Sequence, residues 1–298
     1  MISLVMPTYN GETYLREQLD SIYGQTLVPD EVIVVDDCST DGTVEILKEY
    51  SIKYGLKFYI NDTNLGYNKN FAKGISLANG DYICLSDQDD VWKPDKVEKT
   101  FNKLVEIENG KPACVSSNAS PTDKDLNIIA ESLCPTTDST YEQSLYWYAF
   151  QGCTLMFNKE LKSLLFPFPE DINFDLYIGV YSIFAGNRYH IGTPLMYYRQ
   201  HGSNAIGCSL ENYLSSKKMG FGLYNLIRSG KRKNVLEYIR NNKIYNSKKE
   251  HLLNESIELF SYNGFWSTIK QLIRFPYFKI SPKLFAIILA IKMSLLRK

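Results

Sequence analysis

The sequence predicts an α/β protein, with a largely parallel sheet flanked by helices and followed by a helical C-terminal appendage. Three observations carry this expectation. Up to about Asp90, apolar runs of strand length alternate with segments whose apolar residues recur at helical spacing. Those runs end in polar or turn residues, as strands do where an open α/β sheet binds its ligand. Beyond roughly Leu210 the composition shifts to Lys, Asn, Leu, Ile and Tyr at helical spacing, with no repeat and no low-complexity tract. With 298 residues the chain accommodates one α/β domain over 1–209 and the appendage over 210–298.

The elements follow in order. Ile2-Ser3-Leu4-Val5-Met6 reads as a strand, and Tyr14, Leu15, Leu19, Ile22 and Tyr23 fall on one face of the helix after it. Val32 to Val35 is the second strand. Asp41 with Glu45 opens a second helix that Gly55 ends. Lys57 to Ile60 is the third strand, Asn68 to Ala78 the third helix before Asn79-Gly80, and Tyr82 to Leu85 the fourth strand. Helices between successive strands imply parallel pairing and a sheet covered on both faces. After Asp90 the alternation weakens. A helix is expected over Pro94 to Ile107, strands over Ala113 to Ser116 and Cys153 to Phe157, and a helix from Asn173 to Ala185. Short extended pieces follow at Tyr189 to Ile191 and Leu195 to Tyr198.

Lys+Arg 33 balances Asp+Glu 33, which speaks against general binding to nucleic acid. The six cysteines (Cys38, Cys84, Cys114, Cys134, Cys153, Cys208) lack the spacing of a disulfide framework or a zinc site, so reduced thiols in the cytoplasm are expected. MISLVMPTYN has neither the basic segment nor the long apolar core of a signal peptide.

Three strand ends carry the chemistry: Pro7-Thr8-Tyr9-Asn10-Gly11, Asp36-Asp37-Cys38-Ser39 and Asp87-Gln88-Asp89-Asp90. Clustered carboxylates repel, and a divalent cation between them relieves the cost. Oxygen ligands suit Mg²⁺ or Mn²⁺, which are commonly held by one or two carboxylates together with substrate phosphates. The plain alternative, turn formation and capping ahead of a helix near Asp95, weighs most for Asp90 and least for Asp87 and Asp89. Asp87, Asp89 and Glu98 fit positions one, three and twelve of a calcium loop, but Val91 and Trp92 stand where it needs a ligand and a glycine. Asp36-Asp37 also suits the acidic pocket of a receiver domain, yet the rest of that order does not follow.

PTYNGETYLREQLDSIYGQT, VIVVDDCSTDGT, NLGYNKNFAKGISLANGDYICLSDQDDVW, FQGCTLMFN, FDLYIGVYSIFAG and PLMYYRQHGSN, in this order, resemble glycosyltransferase family 2. Within it they are most similar to the bacterial rhamnosyltransferase-like enzymes of surface polysaccharide synthesis, and the match covers roughly Met1 to Ala205. The resemblance implies a GT-A type fold, a nucleotide-sugar donor, a divalent metal and inversion at the anomeric carbon. It places Pro7 and Tyr9 around the base, Asp37 as acceptor for a pyrimidine N–H, Asp87 near the ribose and Asp89 on the metal. Asn64, Gly66 and Asn70 fall close to the donor, although turn chemistry alone explains the first two. Asp175 matches the general base, with Glu170 and Asp171 as runners-up. His201 stands where the family reaches the metal or the diphosphate, against the commoner structural use of a lone histidine, and Arg199 could pair with a phosphate. Gln151 and Gly152 stand on the acceptor side. Trp92 is placed there too as a sugar-stacking ring, and Tyr146, Trp147 and Tyr148 share the alternative of simple core packing.

The implied partners are a nucleotide-sugar donor and a glycan or lipid-linked acceptor, and a homo-oligomer is left open. Only eight uninterrupted apolar residues, Leu284 to Ile291, lie in the terminal stretch, too few to cross a bilayer. The flanking cations Lys279, Lys283, Lys292, Arg297 and Lys298 suit a helix lying on the inner face of the membrane, and packing on the catalytic domain or a partner subunit is the alternative. Two other functions compete with transfer. A sugar-nucleotide pyrophosphorylase would need a Gly-rich basic loop near the N-terminus, where PTYNGETYL has one glycine and no basic residue. An inactive nucleotide- or carbohydrate-binding module would keep the pocket without turnover.

Overall fold

The computed structural model describes residues 1–133, 138–140, 151–169, 172–202, 230–245 and 247–261. The first half follows the expected alternation: β1 (Ile2–Thr8), α1 (Leu15–Tyr23), β2 (Glu31–Asp36), α2 (Thr43–Tyr54), β3 (Lys57–Ile60), α3 (Tyr67–Leu77) and β4 (Tyr82–Leu85). Next come β5 (Val91–Trp92), α4 (Lys96–Glu108), β6 (Ala113–Thr122), β7 (Ser139–Thr140), β8 (Leu155–Asn158), α5 (Lys159–Lys162), α6 (Phe174–Ala185) and β9 (Asn187–Arg199). Two helices, α7 (Gly230–Asn241) and α8 (Glu250–Ser261), complete the described chain.

Among the described residues nine strands form one sheet in the order β3-β2-β1-β4-β8-β6-β9-β5, with β7 on β9. Its first half is parallel throughout, because a helix returns the chain between successive strands. The expectation of a largely parallel sheet holds no further. β8 runs antiparallel between β4 and β6, β5 and β7 run antiparallel to β9, and only β6 with β9 is parallel again.

Strand periodicity divides the core between the two faces. Leu4, Met6, Val32 and Val34 pack on one side with Leu15, Leu19, Ile46 and Leu47 from α1 and α2. Val5, Ile33 and Val35 point the other way, onto α3 and α6. Val235, Leu236 and Ile239 of α7 and Leu253 and Ile257 of α8 join this second cluster beside Tyr177, Ile178 and Tyr181, so the described helices of the C-terminal segment share the core of the sheet domain. Lys249 donates to the carbonyls of Ile183 and Gly186 at the end of α6, where a cation meets the negative pole of a helix.

Three segments differ from expectation. β6 is ten residues long where four are apolar in pattern, because its SSNASPT half is buried although polar. β9 is continuous across Gly192-Thr193-Pro194, and register shifts in β6 around Asn118 absorb the proline, which has no N–H to donate; Asn118 Nδ2 bonds Gly192 O at 3.0 Å there. Cys153 and Thr154 close a 3₁₀ turn, Gly152–Thr154, and the strand starts at Leu155.

Among the described residues no helix is long and apolar enough to cross a membrane, and Cys38, Cys84, Cys114 and Cys153 are free thiols. Cys134, Cys208, Tyr146, Trp147, Tyr148, Glu170, Asp171 and the terminal stretch from Lys279 lie outside the described residues.

Candidate active site

The loops leaving β1, β2 and β4 meet at one end of the parallel half-sheet, where such sheets bind ligands. Their backbones are tied together by side chains. Thr8 Oγ1 donates to Asp36 Oδ1 at 2.9 Å, and Asp36 also receives Ser39. Tyr9 N donates to Gln88 Oε1 at 2.9 Å while Gln88 Nε2 returns a bond to Tyr9 O at 3.0 Å, a two-point bridge between the β1 and β4 loops. Gly11 leaves room for that bridge, since a Cβ there would lie 2.3 Å from Gln88 Oε1 and the amide would have to shift. Pro7 pairs with Val35 one residue before the end of β1, and Tyr9 is 49% exposed, open to a ligand.

Asp37 is buried and organises the loop before α3. Its Oδ1 accepts from Asn61 Nδ2 (2.7 Å) and Leu65 N (2.8 Å), and its Oδ2 from Gly66 N (2.9 Å). A carboxylate offers about four lone-pair positions, so these three bonds leave one on Oδ2. Asn64 Oδ1 accepts from Gly66 N at 3.0 Å, a local turn bond. Asn70 is not a donor contact as expected: it is 1% exposed, its Nδ2 donates to Val35 O, and its Oδ1 accepts from Asn61. Its effect on the loop runs through Asn61 to Asp37.

The β4 exit holds the acidic group. Asp89 Oδ2 lies 2.8 Å from His201 Nε2, which brings together the two residues expected on a metal. The His201 ring leans on Tyr14 at 4.7 Å, and the Arg199 guanidinium covers Tyr14 at 4.6 Å. Asp87, Asp90 and Cys153 present ligand atoms within 4.8 Å of one another. Asp90 is fully buried, its Oδ1 accepting Arg199 N at 3.0 Å and its Oδ2 without a hydrogen bond, so it is no turn-former at the surface. Burial, then the charge of Asp89, push the Asp87 carboxyl up; burial and both neighbours push Asp90 well up. Burial and the same aspartates push the Cys153 thiol well above its usual range, which keeps it protonated and unsuited to bind a metal. The remaining donors, carboxylate oxygens and one imidazole, fit Mg²⁺ or Mn²⁺, and the repulsion stored in the buried aspartates is what such an ion relieves.

Asp175 enters from α6, whose start is fixed against α3. Phe174 N donates to Asn68 Oδ1 at 3.0 Å, and the Phe174 ring stacks on Phe71 with centroids 3.9 Å apart. Asp175 is partly exposed, and its negative charge reaches both Asp87 and the Tyr67 hydroxyl, raising their pKa behind the larger effect of burial. Gln151 is partly exposed, its carbonyl capping the turn through Thr154. Gly152 is needed by protein rather than by a sugar, because a Cβ would meet Phe174 Cζ at 2.2 Å.

Two expectations fail on burial. Trp92 is 3% exposed, with Lys96 Nζ 3.7 Å above its ring, so no sugar can stack there. Arg199 is 3% exposed, and its guanidinium serves Asp89 O, Lys124 O and Glu17 Oε2 instead of a phosphate. Gln18 escaped notice in the sequence because it reads as one polar position on α1. Its amide, oriented to suit each neighbour, donates to Asp90 O at 2.7 Å and accepts from Ser86 Oγ and Trp92 Nε1.

Residues 3–163 match the profile of glycosyl transferase family 2. The dTDP-rhamnosyl transferase RfbG of Shigella flexneri is 32% identical over 234 residues, 72% of this chain and 78% of that protein. A putative teichuronic acid biosynthesis glycosyltransferase of Bacillus subtilis, TuaG, is 36% identical over 107 residues, 36% of this chain and 42% of that one. Two solved structures share the fold. S. aureus TarS 1-349 in complex with UDP-GlcNAc aligns at TM-score 0.61 and 18% identity over 95% of this chain and 76% of its own. The mannosyltransferase PcManGT of Pyrobaculum calidifontis, in complex with GDP-Man and Mn²⁺, aligns at 0.61 and 19% identity over 100% and 80%. The ordered motifs, the mixed sheet and the acidic loop at its edge thus have one source: the chain belongs to glycosyl transferase family 2 and is a glycosyltransferase of GT-A type fold.

Proposed function

We propose that the protein transfers a sugar from a nucleoside diphosphate to a hydroxyl of a glycan or lipid-linked acceptor, with inversion, in bacterial surface polysaccharide synthesis. The observation that carries this reading is the convergence of Asp37, Asp87, the Asp89–His201 pair and Asp175 on one end of the sheet. Likeness to a dTDP-rhamnosyl transferase over most of both chains supports rhamnose as the sugar and a deoxythymidine diphosphate as its carrier.

Asp37 presents its spare lone pair to a pyrimidine N–H, with Pro7 and Tyr9 against the base and Asn64 and Gly66 shaping the loop beside it. Asp87 lies towards the ribose. Asp89 and His201 would hold a divalent ion, Mg²⁺ or Mn²⁺, which when bound neutralises the charge that grows on the departing diphosphate. The Asp175 carboxylate takes the proton of the acceptor hydroxyl as that oxygen bonds to the anomeric carbon from the face opposite the diphosphate. Gln151 borders the acceptor side. The cationic, apolar segment around Leu284 to Ile291 supports contact with a membrane surface carrying a lipid-linked acceptor.

The test is turnover of dTDP-rhamnose with Mn²⁺ by the wild-type chain and by Asp175→Asn. The variant is expected to lose about 10²- to 10⁴-fold in rate while binding donor as before. Normal turnover in Asp175→Asn would overturn the base assignment, and absence of transfer or hydrolysis with any pyrimidine nucleotide sugar would overturn the donor class.

A further inference from the structure

The Asp37 carboxylate is the end of a chain of polar contacts that starts at a cation on α3. Lys73 Nζ donates to Asn61 Oδ1 at 2.7 Å, and Asn61 Nδ2 donates to Asp37 Oδ1 at 2.7 Å and to Asn70 Oδ1 at 3.0 Å. Asn61 stands directly after β3 and is 4% exposed, its own N–H held by Asp36 O. An ammonium only donates and an ionised carboxylate only accepts, so these partners leave the amide one orientation: oxygen to Lys73, nitrogen to Asp37. Lys73 follows Asn70 by three positions on α3, which brings both side chains to the same amide. The two Asp37 oxygens thereby become unequal. Oδ1 is filled by Asn61 and Leu65 N, while Oδ2 has Gly66 N and one lone pair left.

We propose that Lys73, acting through Asn61, is a positioning residue for selection of the nucleotide base. The ammonium polarises the Asn61 amide towards Oδ1, which strengthens the bond from Nδ2 to Asp37, and three donors together keep the carboxylate from turning. A carboxylate fixed in this way accepts from a base edge that carries a proton on N3, as thymine and uracil do. Cytosine has a bare N3, which sets one acceptor against another at a buried group, and a site built for an N–H rejects a ligand that lacks it. A carboxylate free to turn finds the N4 amino group of cytosine instead. Loss of the clamp therefore relaxes the choice of base rather than abolishing binding. The inference rests on Asp37 as the acceptor for a base N–H, as proposed above.

The experiment titrates the full chain calorimetrically with dUDP and with dCDP in the presence of Mn²⁺. The two nucleotides share deoxyribose and diphosphate and differ only at N3 and the group on C4. Wild type is expected to bind dUDP more tightly. Lys73→Met keeps an apolar stem, removes the donor and leaves Asn61 Oδ1 without it, so the ratio of the two Kd values is expected to fall about tenfold. Asn61→Leu should lower the ratio at least as far, and Lys73→Met added to Asn61→Leu should lower it no further, because Lys73 acts only through the amide. An unchanged ratio in Lys73→Met overturns the inference, even where both affinities drop together, as they would for a cation on the diphosphate. Additive losses in the double variant overturn it too. If Asn61→Leu does not fold, the Lys73→Met ratio decides alone. Equal binding of dUDP and dCDP by wild type, or binding of neither, overturns the Asp37 reading itself and the inference with it, whereas selectivity that survives Lys73→Met leaves that reading standing and overturns the inference alone.

Discussion

His201 Nε2 lies 2.8 Å from Asp89 Oδ2, across 112 residues of sequence, and the contact closes the acidic loop of β4 with the strand end that follows β9. Both side chains are only slightly exposed, 12% and 15%, so the pair is neither a surface ion pair nor a sealed one. That placing suits a shared ligand better than a structural lock. His201→Ala is expected to weaken Mn²⁺ binding about 10- to 100-fold while changing stability by no more than about 1 kcal/mol. Calorimetric titration with Mn²⁺ in the presence of a nucleoside diphosphate, beside a urea unfolding curve, checks both halves.

The Gln88 bridge makes a second prediction. Its two bonds to Tyr9 hold the β1 loop against the acidic loop, and Gly11 leaves the space that Gln88 fills. Each bond contributes about 1 kcal/mol, so Gln88→Ala should raise the Kd for nucleoside diphosphate by roughly tenfold as the Tyr9 loop loosens. Gln88→Glu keeps the acceptor for Tyr9 N but sets a carboxylate against Tyr9 O and beside Asp87 and Asp89, and should bind worse still. Fluorescence or calorimetric titration of both variants ranks them.

These residues also show where sequence reasoning stops. The β1 pattern is legible because Leu4 and Met6 enter one core and Val5 the other, a period that only a strand between two helical layers produces. The polar strand ends announce Asp87 and Asp89 in the same way. The second half of β6 is not legible, since its Ser, Asn and Thr residues look solvated yet are buried, with Asn118 and Thr122 bonding to β9, seventy and more residues away. Trp92 and Arg199 mislead for one reason: residue type indicates a capacity for stacking or phosphate binding, whereas burial and existing partners decide its use, and both arise from tertiary packing. Asp90 is the converse case, a turn-type residue that the fold carries inside.

The buried polar cluster between β6 and β9 gives a pH dependence. Ser116 Oγ receives Arg188 Nη2 at 2.9 Å and lies 2.9 Å from His190 Nδ1, and His190 is 3% exposed. Burial, reinforced by the Arg188 charge, holds the imidazole down to about 4 from its ordinary 6.5. The unfolded chain therefore binds this proton first. The stability that neutral His190 contributes is complete above pH 6.5 and is lost as the pH falls from there towards about 4, by roughly 3 kcal/mol in all. Urea unfolding of wild type and His190→Asn between about pH 7 and pH 5 should give a steeper decline for wild type. Parallel declines would assign the acid sensitivity elsewhere.

Gly152 tests how far the catalytic carboxylate depends on packing beneath it. Phe174 fits between Gly152 and Phe71, and its amide is anchored by Asn68, so the residue before Asp175 is fixed on three sides. A methyl group at 152 would lie 2.2 Å from Phe174 Cζ and 2.7 Å from Cε2, so the ring must move, and with it the first turn of α6. On the donor side, Asp37 is held by Asn61, Leu65 and Gly66 and Asp89 by His201, rather than by that ring. Gly152→Ala should therefore lower kcat, by about 10²-fold if Asp175 is displaced by an ångström, with little change in donor Kd. A larger aromatic space at the neighbour, Phe71→Leu, gives the ring somewhere to go and should restore part of the rate in the double variant. Steady-state kinetics with separate donor titrations distinguish this outcome from simple loss of folded protein, which would reduce binding capacity and rate together.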